Sequence, residues 1–190
     1  MRREAILAPV GLLDQGVERR RQQASEFVDA HLEPGESVVA LLPWSVYYPP
    51  EELTAAERVQ RRTSVAAAAK AGAGQPRGLA VTDRRMLVFD YPPPQDPGKG
   101  AATLAKSIFK ARSLKRGLAE VEEPPERLDA AYPRADVPVR EWTEGGKLNR
   151  ELELQLPGGE SLRLKIAKAH WEDAESVARA LGHSPGSEQV

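Results

Sequence analysis

The chain has 190 residues, of which 41% are apolar and 29% charged, with a formal net charge of −1. That length fits one domain with decorations, and so small a charge sets up no global field drawing the whole protein onto nucleic acid or membrane. With no cysteine present, disulfides, thiolate chemistry and cysteine metal sites are excluded, which suits a reducing cytosol.

No apolar run approaches the roughly 18 residues of a transmembrane helix. The start carries two arginines and a short apolar stretch. Pro9 interrupts it, Asp14 follows soon after, and no small-residue cleavage site is present. A secretory signal is therefore not expected, and a cytoplasmic location is.

In chain order, residues 12–32 read as a helix. Leu13, Val17, Ala24, Val28 and Leu32 recur at helical spacing and Phe27 widens the stripe. Arg19, Arg20 and Arg21, with Glu18 and Glu26 nearby, read as a solvated face. Pro34-Gly35 ends the helix. Residues 36–42 (ESVVALL) read as a strand closed by Pro43. An alanine-rich helix is expected over 51–71, with Glu51-Glu52 in its first turn. The glycines of 71–74 lack the GKS or GKT of a phosphate loop and read as a flexible return.

Residues 77–91 (RGLAVTDRRMLVFDY) form the most distinctive stretch. Two short apolar runs flank Thr82-Asp83-Arg84-Arg85, whose Thr and Asp bond readily to nearby backbone. This predicts a buried hairpin in which Val81 faces Met86 and Leu79 faces Val88. Pro92-Pro93-Pro94 then stops the sheet. A third helix is expected over 101–118, followed by an acidic, proline-broken linker at 120–126.

Strands return at 128–132 and 137–142. The hairpin of 150–156 and 161–167 is clearer: Leu152, Leu154 and Leu156 alternate with polar residues, as do Leu162, Leu164 and Ile166. Pro157-Gly158-Gly159 supplies the turn, and the predicted register sets Glu153 opposite Lys165. Residues 170–181 read as a helix with Trp171, Ala174, Val177, Ala178 and Leu181 on one face, stopped by Gly182. The tail, 183–190, reads as disordered.

The pattern LxVTDRRMLVF, together with LEPGESVVALLP at 32–43, resembles bacterial PH-like (pleckstrin-homology-like) domains, in which a TDRR turn joins two early strands. The resemblance covers roughly 32–42, 77–91 and 127–181. It implies an α+β fold: a bent seven-stranded antiparallel barrel or sheet capped by a C-terminal helix. Here that unit spans 34–182, follows an N-terminal helical segment (1–33), and carries two helical insertions at 43–76 and 92–126. Relatives that bind phosphoinositides do so around the loop joining the first two strands. That loop here holds an alanine-rich helix with Arg58, Arg61, Arg62, Lys70 and Arg77 and no KxnRxR motif, so inherited phosphoinositide binding is not expected.

Chemistry is sparse. His31, His170 and His183 are too scattered for metal spacing and read as surface or capping residues. Glu122, Glu123, Glu172, Asp173 and Glu175 stand in polar contexts, without the apolar pocket that would raise a catalytic pKa. No nucleophile elbow, Walker sequence or HExxH occurs. Trp171 reads as core. Trp44, beside Tyr47 and Tyr48, fits core-edge packing or an exposed aromatic partner site.

The strongest local anomaly is Lys99, Lys106, Lys110, Arg112, Lys115 and Arg116, six cations with no acid between them. They fit either a solvated helical face or a binder of anionic surfaces. The expected function is a non-enzymatic interaction module without cofactor or metal, engaging a protein partner or an anionic membrane surface through these six residues. The alternatives are a nucleic-acid-associated protein using the same basic helix, or an uncharacterised enzyme.

Overall fold

The computed structural model of the chain describes residues 10–47, 74–92, 123–143 and 149–183. The elements are α1 (Val10–Asp29), β1 (Val38–Tyr47), β2 (Gln75–Thr82), β3 (Arg85–Asp90), β4 (Arg127–Pro133), β5 (Val139–Thr143), β6 (Asn149–Gln155), β7 (Ser161–Ala167) and α2 (Trp171–Ala180). Single 3-10 turns at Arg134–Asp136 and Lys168–His170 precede β5 and α2. The expected helices at 51–71 and 101–118, and nearly all of the tail, lie outside the described residues.

All neighbours in the sheet are antiparallel, in the order β4-β3-β2-β1-β7-β6-β5. Two meanders, β1–β4 and β5–β7, thus join through β1 and β7. The sheet is open: β4 and β5 are its edges, yet they are consecutive in the chain. Residues 134–138 alone connect them, and so short a link spans at most about 20 Å. The sheet must therefore bend until its edges converge.

Burial explains the two strand patterns. On the inner face, Leu42, Leu79, Val81, Met86 and Val88 pack with Leu152, Leu154, Leu164 and Ile166 around Ala174, Val177 and Ala178 of α2. Leu156, Trp171 and Leu181 are partly buried against the same core. On the outer face, Ala80, Leu87 and Phe89 pack with Trp44 and Val46 beneath Ala24 and Val28 of α1. Strands β2 and β3 are covered on both faces and so read as continuous apolar runs, whereas β6 and β7 bury one face and alternate. The β2–β3 register has Val81 opposite Met86 and Leu79 opposite Val88, as the turn chemistry predicts. Gly78 lies opposite Phe89, and a Cβ there would stand 2.1 Å from the Phe89 ring.

Strand β1 does not end at Pro43 but continues to Tyr47. Its register with β2 shifts between Leu42 and Ser45, an irregularity that tolerates a proline and re-aims the side chains. Leu42 points to the inner core and Trp44 to the outer one. Beyond the shift, Val46 and Tyr47 also pair with Lys165 and Leu164 of β7. The first excursion from the sheet accordingly begins after Tyr47, not at Pro43.

The β6–β7 register also departs from expectation, by two residues. Glu153 faces Arg163 and Glu151 faces Lys165, with ion-pair distances of 3.3 Å in both cases. The expected register would have put Pro157 into the ladder, where it has no N–H to donate. Instead Leu156 N–H bonds to Glu160 O at 2.7 Å, and Gly158 and Gly159 turn the chain at φ 99° and 93°.

Helix α1 is fastened by a clasp that unites residues 31–37 with the Thr82–Arg85 turn. Thr82 Oγ1 accepts the Arg84 and Arg85 amides at 3.1 and 2.9 Å, forming the tight turn. Asp83 exchanges bonds with Ser37. The fully buried Glu36 side chain accepts from Arg85 Nε and Nη2 at 2.9 and 2.8 Å and from Thr82 Oγ1 at 2.6 Å. Arg85 also reaches His31 O at the end of α1. Chiefly through the Arg85 hydrogen bonds, and against the effect of burial, the Glu36 carboxyl is held at about 2 instead of its ordinary 4.5. Beside the same turn, the Arg134 amide bonds to Arg84 O at 2.9 Å and its side chain donates to Ala180 O at 2.9 Å, near where Gly182 (φ 89°) and the His183 amide close α2.

Candidate functional site

The meander places Tyr47, Gln75, Asp90 and Arg127 at one end of the sheet, opposite the Thr82–Arg85 turn. Both long excursions, 48–74 and 91–126, leave from this end. Their roots are pinned. Tyr91 N–H bonds to Pro76 O at 3.1 Å, Glu126 N–H to Asp90 O at 2.9 Å, and Ser45 Oγ to Arg77 O at 2.9 Å.

Over these roots lies a charged network on four strands. Arg77 of β2 sets Nε 2.8 Å from Asp90 of β3 and Nη2 3.0 Å from Asp129 of β4. The guanidinium carbon lies 4.4 Å from the centroid of the Tyr47 ring on β1, a cation–π contact. Arg127 adds contacts of 2.9 Å to Asp90 and 3.2 Å to Asp129. The hydrogen bond to Asp90 holds the Arg127 pKa above its ordinary value. The four charges cancel, so the cluster fastens the sheet end and adds no net field of its own.

This network was readable from the hairpin. Extending the pairing of Val81 with Met86 and Leu79 with Val88 by one step sets Arg77 opposite Asp90, as observed. Asp129 carried no comparable signal, because β4 slips its register between Val88 and Phe89.

Lys99, Lys106, Lys110, Arg112, Lys115 and Arg116 lie outside the described residues, as do Arg58, Arg61, Arg62 and Lys70. Trp44 is not an exposed aromatic site: it is 2% exposed in the outer core, with Arg20 5.3 Å above its ring. Trp142 and Trp171 are half-buried, with Arg150 5.6 and 4.4 Å from their centroids.

His31 caps α1, its Nδ1 2.7 Å from Phe27 O. His170 departs from the surface role expected of it, being 1% exposed. It is buried because the single 3-10 turn after β7 carries it inward, beside Trp44. Its Nδ1 lies 3.1 Å from Asp173 Oδ2, and Asp173 Oδ1 accepts from Arg21 at 2.9 Å. Burial opposes the charge on Asp173, but the hydrogen bonds from His170 and Arg21 outweigh it and hold the carboxyl below its ordinary value. With Asp173 ionised, the contact requires His170 Nδ1 to carry the proton. The chain Arg21–Asp173–His170 ties α1 to the start of α2.

Among the described residues, no group of three or more His, Asp or Glu could hold a metal ion, and no helix is long and apolar enough to cross a membrane. Compared with family models, curated proteins and solved structures, the chain matches none.

Proposed function

We propose that the chain is a non-enzymatic interaction module of PH-like type that engages an anionic membrane surface or an acidic protein partner through the decorated end of its sheet. The observation that carries this reading is topological: the β1–β2 and β3–β4 connections both leave from one end. Lys99, Lys106, Lys110, Arg112, Lys115 and Arg116 are thereby tethered to a single locus, between roots that ion pairs fasten. The strand order of a four-stranded and a three-stranded meander, followed by a tryptophan-bearing helix, supports the PH-like part of the reading.

The charge arithmetic is consistent with reversible binding. The ion pairs at the roots already cancel one another, so attraction falls to the insertion cations. Each contributes on the order of 1 kcal/mol beside an anionic bilayer and fades within a Debye length. A decisive comparison is co-sedimentation with anionic and neutral vesicles at low and high salt, for wild type and a variant with Glu at Lys106, Lys110, Arg112, Lys115 and Arg116. The wild type should sediment with anionic vesicles at low salt, and the variant should not. Equal recovery of both proteins would overturn the reading, and a steep salt dependence on nucleic acid without lipid binding would replace it.

A further inference from the structure

The charged network at the decorated end does more than close a strand pair. Arg77 touches every root there: it stacks on Tyr47, where the first excursion leaves, and lies two residues past Gln75, where that excursion returns. It also pairs with Asp90 and Asp129, which flank the second excursion on β3 and β4. Its side chain is only 13% exposed and that of Asp90 16%, so water screens this pair less than an ordinary surface pair. Arg127, 68% exposed, pairs only with Asp90 and Asp129 and so fastens the second excursion alone.

We propose that Arg77 couples the two insertions, so that their roots loosen and tighten together and a contact made at one is felt at the other. Guanidinium chemistry suits this position, because one planar fork can meet two carboxylates while its face rests on a ring. Transmission of an anionic-surface contact depends on the function proposed above, whereas the coupling of the roots does not.

Hydrogen exchange on the full chain separates the two. In the free protein, Arg127→Gln removes contacts made only at the second root and leaves those of Arg77 in place. The expected result is exchange about fivefold faster at the first root, at amides 46, 47, 75, 77 and 78, the scale of one lost ion pair. The amides of the 82–85 turn, at the far end, should not change. Unchanged exchange at the first root would overturn the coupling, and this arm stands even if Arg77→Gln fails to fold. With phosphatidylserine vesicles, wild type should slow exchange at both roots, and Arg77→Gln only at 90–91 and 126–127. Slowing at both roots in Arg77→Gln would also overturn the coupling. No vesicle effect on wild type would refute the anionic-surface function, with the free-protein arm still deciding on Arg77.

Discussion

Replacing Glu36 with Gln keeps the size of the side chain, removes its charge and turns one accepting oxygen into an NH2 that faces donors. In the native fold this carboxylate is fully buried and accepts two hydrogen bonds from Arg85, one from the Glu33 amide and one from Thr82. A displacement from 4.5 to about 2 corresponds to roughly 3 kcal/mol at 1.36 kcal/mol per pH unit. Arg85 is 20% exposed and keeps Glu33 at 3.3 Å and His31 O at 2.9 Å, so solvent screening and the surviving contacts reduce the expected loss to about 2 kcal/mol. The assay is denaturant unfolding of wild type and Glu36→Gln from about pH 7 downward. Because the folded-state pKa is depressed, the contribution is fully present above the ordinary value and is lost as pH falls towards the native one. The gap between the two proteins should therefore hold at neutral pH and close between pH 4.5 and about 2. A gap independent of pH across that window, or no gap at neutral pH, would refute the clasp.

Gly78→Ala should destabilise by about 1–3 kcal/mol and lower the melting temperature, because the fully buried Phe89 ring has no room to yield. Leu154→Ala, at a fully buried inner-core position, should cost about 2–5 kcal/mol in denaturant unfolding. Asp173→Asn should cost about 1–3 kcal/mol, and long-range nitrogen NMR should show His170 no longer fixed in the Nδ1-protonated tautomer.

Local chemistry was legible in the sequence wherever one short-range rule fixed the outcome. The Thr82–Arg85 turn set the register of β2 and β3, and even the pairing of Arg77 with Asp90 follows from it. Alternation fixed which face of β6 and β7 is buried, but not the register. A shift of two keeps every leucine inward, and only the missing N–H of Pro157 distinguishes the two pairings. Pro43 was misleading for the converse reason: a proline stops a regular strand but is accommodated where the register shifts. Partnerships across the chain left no local trace. Glu36 and Arg85 stand 49 positions apart, and the burial of His170 depends on how α1 and β1 meet the turn before α2.

The two ends of the first meander divide the work of the fold. At one end a tight turn, a buried carboxylate and the C-terminus of α1 lock together, so change there is costly. At the other, the chain leaves twice on long excursions, and loop-closure entropy grows only logarithmically, with each doubling of length costing about 0.6 kcal/mol. Long insertions are therefore tolerated provided that their roots are held, and the amide bonds of Tyr91 and Glu126 with the pairs of Arg77 and Arg127 hold them. Sequence can then vary, and cations accumulate, where stability is least affected. The recognition proposed above is assigned to that end because the clasp at the opposite end, together with the two cores, carries the stability of the fold.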